Sequence, residues 1–247
     1  MTKKYAGVYP PLIQRIQAEE EHRGSKHAPK AVKTKLHQLY GAYTQDNAHK
    51  KALALLNDME NGLDVTHQLL SLHTSTKERL EHYREFYDFI LEHTGPIESI
   101  MDIGCGYNPF SVSLIPATIK AYHAYDIDVR VADMLNRYFT LLGLPPLAKC
   151  ADLAVDFPES QADLALMCKL VPVLEAQAQG SGFRLARNLR VRYLLITYPL
   201  KSLGGREKGM AKHYSTTFEK ALTNDELGHF APIAQKQIGH ELLYLLK

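Results

Sequence analysis

Met101-Asp102-Ile103-Gly104-Cys105-Gly106-Tyr107-Asn108-Pro109-Phe110 follows a short apolar run and carries two closely spaced glycines. The first glycine permits a tight turn after a strand, and the second lets a ligand approach the backbone. Asn108 stands where a dinucleotide fingerprint needs its third glycine for helix packing. A bare GxG turn is widespread, so its neighbours decide the reading. Asp102 precedes the turn, and Tyr125-Asp126-Ile127-Asp128 closes the next apolar run. An acid at the end of that second strand can accept from both hydroxyls of a ribose.

Outward from this turn, short apolar runs alternate with helical stretches, the pattern of an α/β unit with a mostly parallel sheet. Strands are expected at Ser99–Ile103, Ala121–Ile127, Leu147–Cys150, Leu164–Cys168 and Tyr193–Tyr198. Ile233–Ile238 and Glu241–Leu246 flank Gly239-His240 and read as an antiparallel hairpin added to that sheet. Cys150-Ala151-Asp152-Leu153 places a further polar residue after the third strand, where an adenine amino group could be read. Acids after three successive strands, with no Lys or Arg in the glycine loop, favour a nucleoside without phosphates. That points to S-adenosylmethionine (SAM) over a nicotinamide dinucleotide.

Before Ser99 the pattern is helical. Leu12, Ile13 and Ile16, then Leu53, Leu55 and Leu56, have helical spacing, with breaks near Gly24–Pro29, Gly41–Asp46 and Asn61-Gly62. A helical domain over residues 1–72 ahead of a cofactor domain over 73–247 is the expected division. Ser75-Thr76-Lys77-Glu78 fits a capping box, which predicts a helix starting at Ser75. Its apolar face continues through Tyr83, Phe86, Tyr87 and Ile90, and Gly95-Pro96 ends it.

Composition bounds the partners. The 247 residues are 45% hydrophobic and 23% charged, which suits a folded domain and excludes a disordered or collagen-like chain. The longest apolar stretch, Asp163–Leu174, is interrupted by Lys169 and Pro172, so no membrane span is expected. The N-terminus has no continuous apolar region of a secretory signal, and a cytoplasmic address is expected. The three cysteines, Cys105, Cys150 and Cys168, form no CxxC pair, and the 12 histidines show no HxxxH spacing; no metal site is expected.

The net charge of +2 hides an asymmetry. Residues 1–51 hold ten Lys and Arg, among them Lys3, Lys4, Arg15, Lys30, Lys33 and Lys35, against four acids. A second basic strip runs from Arg184 to Lys212, where Glu207 is the sole acid; Lys201, Arg206, Lys208 and Met210 fall in its Gly-rich part. Two separated basic patches suit a polyanion.

Leu72-His73-Thr74-Ser75-Thr76-Lys77-Glu78-Arg79-Leu80, Asp102–Pro109, Lys169–Glu175, Lys201–Met210 and Ile238–Tyr244 together resemble the aminoglycoside-resistance 16S rRNA guanine-N7 methyltransferases, the Arm/Rmt group. The resemblance covers essentially the whole chain. It implies a Rossmann-like SAM-dependent methyltransferase fold behind a helical RNA-binding domain, acting on 16S rRNA within the assembled 30S subunit at N7 of a decoding-site guanine. It also implies resistance to 4,6-disubstituted deoxystreptamines such as gentamicin and kanamycin. By the same resemblance Tyr43, His73, Thr74, Ser75 and Arg79 form the lid and carboxylate side of the cofactor site. Gly104 and Gly106 form the glycine loop, Asp126 with Ile127 the ribose end, Asp152-Leu153 the adenine reader, and Lys169 with Gln177 the rim. A guanidinium can grip the methionine carboxylate in a bidentate pair, which favours Arg79 for that role. Lys3, Lys4, Arg15, Lys30, Lys33 and Lys35, with Lys201, Arg206, Lys208 and Met210, are the expected RNA contacts.

Guanine N7 carries a lone pair and no proton at neutral pH, so attack on a sulfonium methyl needs alignment but no general base. No catalytic acid or base is therefore named. Cys168 lacks the Pro-Cys context of a pyrimidine-C5 nucleophile and reads as a buried strand cysteine. Three alternatives stay open: methylation of adenine N1, a nucleotide-dependent oxidoreductase, and a ribosome-binding regulator that keeps the cofactor fold.

Overall fold

The computed structural model describes residues 5–24, 28–41, 47–201 and 209–247. Its centre is one seven-stranded sheet of order β3-β2-β1-β4-β5-β7-β6. The strands are β1 (Ser99–Ile103), β2 (Ala121–Asp126), β3 (Ala148–Cys150), β4 (Gln161–Cys168), β5 (Arg190–Pro199), β6 (Pro232–Ile238) and β7 (Glu241–Leu246). The first five run parallel, and β7 lies antiparallel against both β5 and β6. The expected strands and hairpin are all present, most with ends a few residues longer or shorter than the apolar runs.

The strands read as apolar runs because helices cover both faces of the sheet. Alternate residues feed two separate cores. Ile100, Leu164, Leu166, Leu195, Leu243 and Leu245 point to one side, against α6 (Tyr83–Thr94) and α7 (Val129–Leu141). Met101, Ile103, Ala165, Met167, Leu194 and Ile196 point to the other, against α8 (Ser181–Arg187) and α9 (Met210–Thr223). Strand β6 is the polar edge, with Gln235, Lys236 and Gln237 exposed, which suits a strand whose outer side has no partner. Gly239, at φ +52°, makes the tight connection into β7 and so fixes the register that buries Glu241.

Helices α1 (Pro10–His22) and α2 (Ala28–Leu36) form a small apolar cluster of their own through Leu12, Ile13, Ile16, Val32 and Leu36. By contrast Ala52 and Leu56 of α3 (Ala48–Glu60) and Leu69 and Leu70 of α4 (Thr66–Leu70) join the core of the sheet. Arg137 on α7 reinforces that seat through Glu60 at 2.7 Å.

The capping box at Ser75 is corrected. The helix starts one residue earlier, as α5 (Thr74–Arg79), because His73 is extended at φ −121° and ψ 133°. Thr76 donates to the carbonyls of Leu70 and His73, closing this entry turn. Ser75 is thereby an internal residue of the first turn, and Glu78 turns away from the cap towards Lys169. Nor does the helix run unbroken to Ile90. A 3-10 turn over Leu80–His82 separates α5 from α6.

Candidate cofactor and base-binding site

Strand β1 has β2 on one side and β4 on the other, so the chain reverses its winding at the C-terminal end of β1. Open α/β sheets bind ligands at such a switch point. A cleft of about 1030 Å³, mouth included, opens there. Its floor is the glycine loop. Gly104 at φ +66° and Gly106 at φ +50° hold a backbone that other residues rarely adopt. A Cβ on Gly106 would stand 3.1 Å from the His73 ring, and one on Gly104 2.7 Å from Leu170 Cδ1.

Asp126 ends β2 beside that loop. Its Oδ2 accepts from the Gly106 amide at 2.8 Å and its Oδ1 from the Asp128 amide at 2.9 Å. Each oxygen keeps a lone pair for one further donor. Burial pushes the carboxyl up to about 6, with the Asp128 and Gly106 amides working the other way. Asp128, in turn, caps α7 through the Arg130 amide at 2.9 Å. Of the two, Asp126 is the acid that faces the cleft.

The first cleft is lined by His73, Ser75, Arg79, Gly104, Gly106, Asp126, Ile127, Asp152, Leu153, Lys169 and Gln177. Thr74 lies in an adjoining cleft of about 1430 Å³, mouth included, together with Lys35, Glu78, Lys201, Met210 and Tyr214. Leu39, Ser75, Lys169, Val173 and Gln177 line both. His73 stacks on Tyr107 at 5.6 Å, and burial, then the charges of Lys169 and Arg79, lower its imidazole to about 4. It is neutral at pH 7. Tyr43, Lys3, Lys4, Arg206 and Lys208 lie outside the described residues.

Arg79 is buried, and its fork is already engaged. Nε and Nη2 donate to the two Glu241 oxygens at 3.1 and 2.8 Å, and Nη1 donates to Asn108 Oδ1 at 2.9 Å. The Nε–Nη2 edge of the fork faces β7, and one N–H on each of Nη1 and Nη2 is left for the cleft. Glu241 also accepts from Thr197 at 2.8 Å and lies 3.3 Å from Lys169 Nζ. Asn108, in the third-glycine position of the loop, donates to Asp102 at 2.8 Å, so Asp102 braces the loop from beneath. Tyr122 holds the same oxygen at 2.7 Å. Lys169 carries φ +57° at the end of β4, a left-handed conformation that is costly for a residue with a side chain. Its amide is held by Thr197, and its Nζ donates to Glu78 at 2.6 Å.

Two of the expected RNA contacts are engaged by carboxylates of the chain itself. Arg15 turns inward: Nε donates to Asp152 Oδ2 at 2.6 Å, Nη2 to Asp152 Oδ1 at 3.0 Å, and Nη1 to Glu19 at 2.6 Å. Lys35 pairs with Glu19 at 3.2 Å and Glu20 at 2.8 Å, bolting α2 to α1. Lys30, Lys33 and Lys201 are exposed. The second basic strip also divides. Arg190 and Arg192 start β5 at the end of the sheet remote from the cleft, Arg192 facing Asp163 at 3.4 Å, whereas Lys201 follows its far end. Glu241 and Glu78, which pair with Arg79 and Lys169, are the side chains of the site that the sequence pattern did not bring to it.

These residues fit a SAM-like nucleoside. A carboxylate with a lone pair left on each oxygen meets a ribose diol, a side-chain-free backbone admits the chain beside it, and Leu12, Ile127, Val131 and Leu153 give apolar walls for a purine. Among the described residues no cluster of His, Cys, Asp and Glu is arranged to hold a metal, and no helix is long and apolar enough to cross a membrane.

The fold and site define a Rossmann-like methyltransferase. The chain belongs to the Ribosomal RNA methyltransferase (FmrO) family, which it matches over residues 1–245. It is 35% identical to the 16S rRNA (guanine(1405)-N(7))-methyltransferase of Serratia marcescens, covering 100% of this chain and 94% of that protein. It is 31% identical to the enzyme of the same name from Micromonospora echinospora, covering 100% and 93%. The 16S rRNA methyltransferase RmtF, solved in complex with S-adenosyl-L-homocysteine, superposes with a TM-score of 0.87 at 32% identity, over 100% of this chain and 94% of that one. SAM is the cofactor.

Two expected outcomes follow from this geometry. Glu241→Ala leaves a buried guanidinium without its carboxylate and should cost about 3–5 kcal/mol in urea unfolding; a loss under ~1 kcal/mol would mean that Arg79 finds other acceptors. The second concerns pH. Asp126 grips hydroxyls best when ionised, and its folded pKa of about 6 means protonation sets in as pH falls through that value. Affinity for S-adenosylhomocysteine should therefore hold above pH 7 and drop roughly tenfold by about pH 5, by linkage of protonation to binding. Asp126→Asn should bind weakly and lose that acid-side slope; a mutant that keeps the slope would assign it to another group.

Proposed function

We propose that the chain transfers the SAM methyl group to N7 of guanine 1405 of 16S rRNA, the reaction named for its relatives. The observation that carries this reading is the pair of adjoining clefts. One suits a nucleoside cofactor, the other is wide enough for a base, and Ser75, Lys169 and Gln177 stand on their common wall.

The bound cofactor supplies a methyl group on a sulfonium. Asp126 holds the ribose, and Asp152 with Leu153 faces the adenine. His73, Ser75 and the free N–H groups of Arg79 form the methionine side. Because N7 brings its own lone pair and no proton, the residues of the wall need only align the base and exclude water. His73, neutral and half-buried, adds no charge against the sulfonium. In A-form RNA the groove that displays N7 is deep and narrow, so the guanine is extruded into the wider cleft. Tyr214 and Met210 offer it apolar surface there.

The substrate form is the assembled 30S subunit in the cytoplasm, with no metal and no membrane taking part. The helical segment up to Leu72 is the RNA-facing part, its α3 and α4 seated on the methyltransferase core. Exposed Lys30 and Lys33 on α2, with Lys201 beyond β5, contact phosphates, which position the RNA without specifying a base. Methylated N7 is a lost acceptor and a fixed positive charge, and both oppose a cationic drug docked on that edge.

Reversing Lys30 and Lys33 to Glu should abolish methylation of 30S subunits while S-adenosylhomocysteine still binds, and raised salt should weaken the wild type in the same way. Full activity in the double mutant would make this face a solvated surface. Expressed in a susceptible bacterium, the gene should raise gentamicin and kanamycin resistance strongly and leave apramycin almost unaffected. Borohydride and aniline cleavage of the recovered 16S rRNA should fall at guanine 1405. Strong apramycin resistance would instead indicate adenine N1, and soluble, cofactor-binding protein without gentamicin resistance would refute the ribosomal reading.

A further inference from the structure

We infer that Arg15, on the first helix, is a positioning residue for adenine recognition, so that the N-terminal helices complete the cofactor site rather than serving RNA alone. The inference rests on the reading of Asp152 as the acceptor for the adenine amino group.

Asp152 follows β3 at the wall of the cleft, with its side chain only 3% exposed. Arg15 reaches it across 137 residues of chain and engages both carboxylate oxygens, Nε to Oδ2 at 2.6 Å and Nη2 to Oδ1 at 3.0 Å. The planar fork fixes the plane of the carboxylate as a single ammonium could not. The Ala154 amide adds a third donor to Oδ1 at 3.3 Å. Arg15 is itself held by Glu19 at 2.6 Å, and Nη2 also reaches Gln177 Oε1 at 3.1 Å, a second residue of the cleft lining. One guanidinium thus links α1 to two residues of that lining.

That arrangement has a specific chemical consequence. An exocyclic amine is recognised by an ionised acceptor aimed at it, and Oδ2 of Asp152 keeps a lone pair after its bond to Arg15, whereas Oδ1 already takes two donors. Hypoxanthine presents a carbonyl in place of the amine, and a pinned carboxylate repels it. Without the fork, Asp152 can rotate and take water, so selectivity for the amine falls while apolar contacts to the purine ring persist. Leu12, one turn before Arg15 on the same helix, lines the cleft as well. Adenine is therefore read fully only while α1 is seated.

The test is calorimetric titration of S-adenosylhomocysteine and S-inosylhomocysteine into the wild type, Arg15→Gln, Arg15→Lys and Asp152→Asn. The wild type should prefer the adenosyl ligand by at least about tenfold, the scale on which a site built around a hydrogen bond rejects a mismatched group. Arg15→Gln should lose most of that preference by weakening the adenosyl ligand about tenfold while the inosyl ligand stays within about twofold, because only the charge-assisted contact is lost. Unchanged inosyl affinity certifies the fold of each variant. Arg15→Lys keeps charge and stem packing, and should still lose the preference because it cannot hold both oxygens. Equal weakening of both ligands would make Arg15 a mere clasp for α1, and an undiminished preference in Arg15→Gln would make the pair incidental; either overturns the inference. A wild type that binds both ligands equally overturns it through the reading of Asp152, and one that binds neither overturns it through the cofactor.

Discussion

A guanidinium taken out of water must find an acceptor for nearly every N–H it buries, and Arg79 meets that demand in a way that organises the end of the sheet. Glu241 from β7, Asn108 from the glycine loop and the ring of Phe86, 4.8 Å from the guanidinium, all converge on it. The strand added last to the sheet is thereby tied to the loop that follows the first. Glu241 in turn receives Thr197 from β5 and approaches Lys169 at the end of β4. Four elements that share no local sequence are thus held together by one pair. Replacing the pair with apolar side chains of equal volume could hold them as tightly, so its value is orientation: it sets where Asn108, Lys169 and the glycine loop stand relative to the cleft.

What the sequence disclosed follows the range of each interaction. Strand β1 and the β6–β7 hairpin were legible because alternation, a glycine turn and complete burial are local signals, and Asp126 because its spacing from Gly106 is set by one βαβ unit. The partner of Arg79 was not legible, since Glu241 lies 162 residues away and nothing near Arg79 announces it. The same holds for Arg15 and Lys35, whose charge counted towards a basic patch until the fold turned them onto Asp152, Glu19 and Glu20. The capping box failed differently. Ser75 and Glu78 have the right spacing, but an extended His73 starts the helix one residue earlier, and Thr76 rather than Ser75 closes the turn.

The second basic strip shows how a strand undoes a one-dimensional patch. Arg190 and Lys201 are eleven residues apart in the chain, and a strand of ten residues between them separates their ends by about 30 Å at the usual rise per residue. Charges that looked contiguous face opposite ends of the sheet. The end after β5 adjoins the clefts, and among the described residues Lys201 is the basic member of that strip that lines one of them.

Around the first cleft the charges are arranged for a cationic ligand. Arg15, Arg79 and Lys169 each point a positive group at it or its wall, and each has a carboxylate in contact: Asp152, Glu241 and Glu78. Asp126 is different, for the bonds seen at its carboxylate come from backbone amides and bring no counter-charge. The cleft therefore keeps one carboxylate in excess, paid for by the burial that raises its pKa. A sulfonium entering the site meets paired cations that repel it little and one anion that attracts it. Lys169 stands on the wall that both clefts share, and Glu78, which lines the second cleft and touches Lys169, balances its charge there, so that this wall adds little net charge against a base seated beside it.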